Sequence, residues 1–234
     1  MSHAYYQLPN GRVASIDGDC EFPALSNALT EPNGLIAIGG DLSSARLLKA
    51  YRLGIFPWFS EGDPIMWWSP NPRMVLFPDE LKISSSLKKT LKKQAFEIRF
   101  NSSFRAVITA CSQAKRQGQA GTWLSTQMIN TYCALFESGH AICAEAWLDN
   151  VLVGGCYGVN IGNMFYGESM FHHVSDASKV AFVALVAHLQ HRGIAMIDCQ
   201  MKTPLLSSFG GREIPSAIFM QKLATLIEFE HDHR

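Results

Sequence analysis

The sequence lacks the short motifs that mark several common kinds of site. It has no CxxC pair, no HExxH, no GxxxxGKS/T and no GxGxxG, so it shows neither a recognisable metal set nor a phosphate-binding loop. Its six cysteines lie mostly inside apolar patterns, which favours reduced, packed thiols over a disulfide framework. His172 and His173 are too close in sequence to be two ligands on one helix face. We therefore predict no metal and no cofactor.

Long apolar runs are also missing. No run approaches the roughly 20 residues of a membrane-spanning helix, and the N-terminal stretch has no hydrophobic region of the kind found in signal peptides. The formal net charge is zero and 47% of the 234 residues are apolar, which is typical of a globular protein with one large domain or two smaller ones. We expect a cytoplasmic protein with no membrane partner.

The stretch 143–200 carries the clearest structural pattern. Three short apolar runs are separated by turn residues at 149–150 and 161–163, which predicts an antiparallel meander of three strands. An amphipathic run follows, with capping residues at 175–176, and Gly193 predicts the end of this helix. A short apolar run after the helix predicts a buried strand. The helix residues predicted to face inward are Val180, Val183, Ala184, Ala187 and His188.

Three polar side chains interrupt this apolar pattern: Glu168 on the third predicted strand, and Asp198 and Gln200 on the last. Asp198 and Gln200 are two residues apart, so on a strand they point to the same side of the sheet. Burial of a carboxylate without a partner is costly, and a satisfied hydrogen-bonded pair in the core is one interpretation. The presence of Glu168 and the position of these residues at strand ends favour a functional site instead.

Aromatic residues cluster in two proline-containing loops with the sequences FPWF and WWSP. Proline fixes the backbone there, so the rings are held in place and can form the wall of a site. Such a cluster is also typical of the core of a small domain. We predict that Trp67 and Trp68 are mainly structural. Trp58 is expected to lie nearer a ligand, where the base of a nucleotide could stack on its ring. Trp123, in a glycine-flanked loop, is a second candidate.

Positive charge is concentrated in the segment 82–116. It carries nine lysines and arginines against one acidic residue, which leaves a local net charge of plus eight. Within it, SSSLKKTLKKQ predicts a short helix with its leucines inward and its lysines on one basic ridge. A charged run is often only a solvated face, but the single sign in a neutral chain favours an anionic partner such as phosphate. The lysines of this ridge, called the lysine cluster below, are Lys88, Lys89, Lys92 and Lys93.

These residues are parts of longer motifs. EPNGLIAIGGDLSSARLLKAYRLGIFPWF begins at residue 31 and WWSPNPR follows it, while GTW, FYGESMF, ASK and DCQ lie further along in that order. Taken together, they give a sequence that resembles the bacterial leucyl/phenylalanyl-tRNA-protein transferases from about residue 31 to residue 215. The resemblance implies an α/β (α+β) fold with a small N-terminal domain, residues 1–80, and a C-terminal domain, residues 81–234. The second domain is expected to resemble the N-acetyltransferases, with a mixed, mainly antiparallel sheet.

The same resemblance implies the activity. Members of this family transfer leucine or phenylalanine, and methionine less well, from aminoacyl-tRNA to the N-terminal amino group of proteins that begin with arginine or lysine, which marks those proteins for degradation. Acyl-CoA enzymes of this fold bind pyrophosphate with a glycine-rich loop, whereas the loop here, 172–176, has an acid and no glycine. We therefore expect tRNA and not coenzyme A as the carrier. An acyl-CoA-dependent N-acyltransferase and a non-catalytic tRNA-binding module are the rival interpretations.

Site residues follow from the resemblance as well. Asp198 and Gln200 match the active-site pair that orients the attacking amine and helps its proton leave; Asp198 is either a general base or an electrostatic anchor. Glu168 matches the glutamate that holds the α-amino group of the transferred amino acid or its ribose. Trp58 and Trp123 match tryptophans near the terminal adenosine. The other predicted substrate-binding residues are Tyr51 and Tyr132 and, in the side-chain pocket, Cys156, Phe165, Met170, Phe182, Leu185 and Ile197.

The sequence departs from the family pattern at several of these positions. Cys156 stands where methionine is expected, Phe182 where leucine is expected and Leu185 where phenylalanine is expected. The first change enlarges the pocket and the other two roughly offset each other, so the relative preference for the donor amino acids stays open. Leu205 and Phe209 replace a histidine and a leucine, which removes any polar assistance from that histidine.

Overall fold

The computed structural model describes residues 4–18, 20–114 and 124–228. The described residues form two β-sheets and seven α-helices. The strands are β1 (Ala4–Leu8), β2 (Gly11–Ile16), β3 (Leu35–Gly39), β4 (Phe56–Pro57), β5 (Met66–Trp68), β6 (Arg73–Leu76), β7 (Glu97–Phe100), β8 (Ala141–Leu148), β9 (Val151–Ile161), β10 (Met164–His172), β11 (Met196–Gln200) and β12 (Arg212–Ile214). The helices are α1 (Ser44–Arg52), α2 (Ser85–Lys92), α3 (Phe104–Gln113), α4 (Thr126–Glu137), α5 (Ala177–His191), α6 (Pro204–Ser208) and α7 (Ser216–Ile227).

The second sheet is the larger one and carries the site described below. Its strand order is β12-β6-β11-β10-β9-β8-β7. The pair β10–β11 runs parallel, whereas the other neighbouring pairs run antiparallel. The first sheet has the order β1-β2-β3-β5-β4 and is formed by the N-terminal part of the chain. The predicted α/β fold class, with a mixed, mainly antiparallel sheet, is confirmed.

The first sheet ends with Trp68 and the second sheet begins with Arg73. The expected division into domains at residue 80 stays a prediction. Strand β6 lies before that boundary but belongs to the second sheet, where it pairs with β11 and β12. Arg73 on β6 and Asp198 on β11 form a buried ion pair across these two strands.

The predicted meander of three strands is confirmed as β8, β9 and β10. Asp149 and Asn150 have φ values of 49° and 61°, as a two-residue type I′ turn requires, and they join β8 to β9. Helix α5 follows β10 and ends before Gly193, whose φ of 78° closes it. Asp176 is the N-cap residue of α5, but its side chain caps no backbone N–H because Thr90 and Lys179 bind its carboxylate.

The predicted inward face of α5 is right in part: Val183 packs on the core and His188 stacks on Phe100, but Ala187 is exposed. Val180 is buried, and Val183, Ala184 and His188 are half-buried. Because the helix is apolar on most sides, the periodicity of its sequence does not define which face is buried. The residues that are buried are Ala177, Ser178, Val180, Ala181, Phe182, Leu185, Val186 and Leu189.

Serine residues fix the starts of three helices. Ser43, Ser84 and Ser125 each accept a hydrogen bond from the backbone N–H three residues further on, at α1, α2 and α4. The second sheet packs against two cores. One lies between its strands and α1, α3, α4 and α7, and the other lies under α5. None of the helices in the described ranges is both long and apolar enough to cross a membrane.

Candidate active site

An apolar cavity of about 450 Å³ opens where β10 and β11 separate. The two parallel strands pair from Met164 with Met196 to Tyr166 with Asp198. Beyond that point the strands diverge, and the following residues of both strands line the gap. The first part of the chain closes one side of the cavity with Trp58 and its neighbours in the FPWF loop. Both parts of the chain therefore contribute to the cavity.

The cavity brings together all six residues predicted for the side-chain pocket. They lie on four elements: Cys156 on β9, Phe165 and Met170 on β10, Phe182 and Leu185 on α5, and Ile197 on β11. Of these, Met170 alone is half-buried, and the other five are buried. A cavity of this volume and apolar lining is typical of a site for a small apolar group.

Glu168 and Gln200 are among the polar residues at the wall of this cavity. Both stand at irregularities of their strands: the register of β10 shifts between Gly167 and Ser169, and that of β11 shifts between Asp198 and Gln200. Bulges of this kind re-aim side chains beside functional sites. The side-chain amide of Gln200 donates to Oε1 of Glu168 at 3.1 Å.

Tyrosine hydroxyls hold the other side of Glu168. The hydroxyl of Tyr51, from α1, lies 2.8 Å from Oε1, and that of Tyr132, from α4, lies 2.8 Å from Oε2. The two phenol oxygens lie 2.7 Å apart. Neither tyrosine is among the described residues that line the cavity, although both were predicted to bind substrate. Both hydroxyls bind Glu168, which itself lines the cavity.

Asp198 lies behind the cavity and is not one of the described residues that line it. Its carboxylate accepts hydrogen bonds from Nε of Arg73 at 2.8 Å and from Nη2 at 2.7 Å, and both side chains are fully buried. The Arg73 guanidinium also lies 4.7 Å from the ring centroids of Phe56 and Phe219. Oδ1 of Asp198 accepts the backbone N–H of Gln200 at 2.9 Å. Of its two expected roles, the geometry therefore favours the electrostatic anchor.

Burial perturbs the ionisable groups at the site. Removal from bulk water raises the pKa of Glu168 to about 7, the negative charge of Asp198 adds to the rise, and the hydrogen bonds from the tyrosines and Gln200 oppose it. Burial raises the pKa of Tyr51 and Tyr132 well above the usual value, and the charge of Glu168 adds to that effect. Burial likewise raises the pKa of the Cys156 thiol, so this cysteine is not an activated nucleophile.

The three tryptophans of the proline-containing loops differ in their positions relative to the cavity. Trp67 is fully buried and donates to the carbonyl of Gly39, whereas Trp58 lines the cavity. Trp68 supports Trp58: its indole N–H donates to the Trp58 carbonyl, and the two ring centroids lie 5.5 Å apart. Trp123 lies outside the described residues.

The lysine cluster is exposed on α2, next to the start of α5. Leu87 faces inward, and the four lysines face solvent. Thr90 of the same helix donates to the carboxylate of Asp176, at the N-cap of α5. Phe182, in the cavity wall, lies six residues along α5 from Asp176, a rise of about 9 Å. The basic ridge and the cavity therefore adjoin the same helix.

Some residues at or beside the cavity were not among the predicted site residues. Leu205 and Leu206 from α6 line the cavity, and Phe209 packs on Phe182 with ring centroids 4.9 Å apart. Arg73 was also missed, although an arginine in the otherwise apolar run RMVL was a usable signal, because buried arginines have partners. Leu205 and Phe209 were noted only as departures from the family pattern, since their contact with the cavity wall depends on how the chain folds back after β11.

Known proteins resemble the chain over most of its length. The family model described as leucyl/phenylalanyl-tRNA protein transferase matches residues 75–224, and the model of the N-terminal domain of that family matches residues 40–71. The leucyl/phenylalanyl-tRNA–protein transferase of Nitrosospira multiformis is 55% identical over 214 residues, which cover 92% of each chain.

A second relative with the same name, from Chromobacterium violaceum, is 58% identical over 88% of this chain and 87% of its own. A solved structure of L-PGS from Bacillus licheniformis covers 82% of this chain and 73% of its own, with a TM-score of 0.43 and 10% identity. The sequence relatives and the family models agree with each other over both parts of the fold. The chain belongs to the leucyl/phenylalanyl-tRNA protein transferase family of aminoacyltransferases.

Proposed function

We propose that this aminoacyltransferase moves leucine or phenylalanine, and methionine less well, from aminoacyl-tRNA to the N-terminal amino group of proteins that begin with arginine or lysine. The observation that carries the proposal is the apolar cavity with Glu168 and Gln200 at its wall. An apolar cavity suits an apolar side chain, and a carboxylate beside it suits an amino group. The acceptor residues and the marking of acceptors for degradation rest on the family resemblance.

The donor amino acid would bind with its side chain against Cys156 and Phe165 and its α-amino group at Glu168. The terminal adenosine would lie at Trp58, whose ring is fixed by Trp68. The tRNA stem would approach the lysine cluster, which is exposed and uniformly positive. Because charged tRNA is made where protein synthesis occurs, we propose that the enzyme works in the cytoplasm.

The reaction asks for positioning rather than strong activation. The amine nitrogen attacks the ester carbonyl carbon, the peptide bond forms, the bond to the ribose oxygen breaks, and the proton that the amine loses ends on that oxygen. The ester is already activated, and an α-amino group with a pKa of roughly 7.7 to 8.0 is partly neutral at physiological pH. Alignment of the two groups can lower the barrier by about 7 to 11 kcal/mol.

Gln200 is the residue that we propose orients the amine. Its side-chain nitrogen donates to Glu168, which leaves the amide oxygen to accept a hydrogen bond from the amine. Asp198 holds the backbone of Gln200 in place, and Arg73 keeps that carboxylate fixed. Asp198 therefore acts as a positioning residue through Gln200.

We propose that coenzyme A is not a carrier for this enzyme. The loop before α5 presents the carboxylate of Asp176, which is held by Lys179 at 2.8 Å and by Thr90 at 3.1 Å. The N-terminus of a helix favours an anion, and here the chain's own carboxylate lies at that place. A pyrophosphate there would meet a negative charge.

The test supplies radiolabelled leucyl-tRNA and acceptor proteins that differ only in their first residue: arginine, lysine, alanine or glutamate. We expect label in the arginine and lysine proteins, and the label should survive RNase treatment. Leucyl-CoA should give no product, and valyl-tRNA should give little. Transfer from leucyl-CoA would favour the acyl-CoA-dependent rival, and binding of tRNA without any transfer would favour the tRNA-binding module.

A further inference from the structure

Glu168, Tyr51 and Tyr132 form a closed ring of hydrogen bonds. The two phenol oxygens lie 2.7 Å apart, and each lies 2.8 Å from a different oxygen of the Glu168 carboxyl group. These are normal lengths for O–H···O hydrogen bonds, so each of the three contacts needs a proton of its own. The closed ring therefore needs three protons.

The protonation state of Glu168 follows from a count of these protons. Each tyrosine supplies one, and an ionised carboxylate supplies none. With Glu168 ionised, both tyrosine protons would point to the carboxylate, and two phenol oxygens would face each other at 2.7 Å without a hydrogen between them. A protonated carboxyl group supplies the missing proton. Because Oε1 already accepts from Gln200, the proton belongs on Oε2.

We propose that Glu168 holds a proton in the free enzyme and releases it to solvent when the α-ammonium group of the donor amino acid binds. The inference rests on the proposed function, which brings that ammonium group to Glu168. On binding, Oε2 loses its proton and accepts a hydrogen bond from the ammonium, both tyrosine hydroxyls turn to the carboxylate, and the two phenol oxygens, which no longer share a proton, move apart. Tyr51 and Tyr132 are positioning residues, since they act through Glu168.

The groups around Glu168 favour the protonated state. Burial raises its pKa, and the nearest charge is the negative one on Asp198, which Arg73 partly neutralises. The ring of Tyr157 packs edge-on against that of Tyr132, with centroids 5.6 Å apart, and supplies no positive charge. The groups that act on Glu168 from the elements packed around it are Tyr51 on α1, Tyr132 on α4, and Asp198 and Gln200 on β11. Behind them, Tyr157 on β9 contacts Tyr132, and Arg73 on β6 binds Asp198.

The ring also explains how the enzyme would distinguish an amino acid from a plain acyl chain of the same shape. An ammonium group can take the place of the carboxyl proton because it brings a positive charge and its own donors. An acyl chain without an amino group brings neither. Such a chain leaves the ring closed, so it lacks the charge-assisted hydrogen bond that the amino group makes.

The experiment is titration calorimetry with adenosine that carries leucine in a stable amide linkage, in buffers of different ionisation enthalpy. At about pH 6, below the pKa of Glu168, wild type should release about one proton per ligand bound. The matched control ligand carries 4-methylpentanoate, which lacks the α-amino group, and it should release none. Glu168→Gln should release none with either ligand. Tyr51→Phe removes a hydrogen bond that opposes the rise in the pKa of Glu168, so the release should stay at about one proton at this pH and persist to higher pH than in wild type.

The outcomes separate this inference from the proposed function. If the leucyl ligand binds without proton release, the inference is overturned and the donor site stands. If the leucyl ligand does not bind, both are overturned. Difference infrared spectroscopy of the free enzyme gives a readout that needs no ligand. A carboxylic acid band that is present in wild type and absent in Glu168→Gln supports the closed ring, and its absence from wild type contradicts it.

Discussion

Removal of one partner of the buried Arg73–Asp198 ion pair should destabilise the whole fold. In Asp198→Asn, the Arg73 guanidinium keeps its charge while it is only 1% exposed and lies between two phenylalanine rings. An uncompensated buried charge of this kind costs about 3 to 5 kcal/mol. For a chain of this size, that loss corresponds to a fall in melting temperature of about 6 to 20 °C.

Urea unfolding at neutral pH measures this loss. The matched control is Glu213→Gln, which breaks the exposed pair of Lys202 and Glu213 and should cost about 1 kcal/mol or less. The double variant Arg73→Met/Asp198→Leu should recover much of the stability, because it removes both buried charges together. A loss in Asp198→Asn no larger than in the control would refute the reasoning that this pair fixes β6 against β11.

Three further predictions concern the donor, the tRNA and pH. Cys156→Met should shift the preference among leucine, phenylalanine and methionine in competition assays, because it narrows the cavity; an unchanged ratio would remove Cys156 from the pocket. Replacement of the lysine cluster by glutamine should make the plot of log tRNA affinity against log salt concentration less steep, by about 0.7 to 0.9 for each phosphate that the protein no longer neutralises. The control Lys222→Gln should leave this slope unchanged. An equal slope in wild type and both variants would show that the cluster faces only water. Folding raises the pKa of Glu168 from 4.5 to about 7, so the free energy of unfolding of wild type should fall by up to about 3 kcal/mol as the pH rises between these two values. Glu168→Gln should not show this fall. Parallel curves of unfolding free energy against pH for the two proteins would contradict the prediction.

Much of the second sheet could be predicted from the sequence, because its turns and the starts of its neighbouring helices depend on local residue preferences. The turn at Asp149 and Asn150 suits residues that tolerate positive φ, and the serine caps mark helix starts. The pocket residues were located by family motifs and not by their apolar character, which any core would share. The prediction of the inward face of α5 was only partly right, because the apolar residues of this helix are not confined to one face.

The remaining features depend on contacts between distant segments. Glu168 touches Tyr51, 117 residues away, and Asp198 touches Arg73, 125 residues away. Strand alternation placed Asp198 and Gln200 on the same side of the sheet, but it did not foresee the bulge between them or the buried arginine that binds the Asp198 carboxylate. No local pattern specifies a ring of hydrogen bonds between two tyrosines and a glutamate.

The central claim is that the cavity between β10 and β11 holds the amino acid of a charged tRNA. Its most direct test is a crystal structure of the protein with adenosine that carries leucine in amide linkage. We predict the leucine side chain against Cys156 and Phe165, its amino group within hydrogen-bonding distance of Glu168, and the adenine at Trp58. A ligand bound elsewhere, with the cavity left empty, would contradict the account.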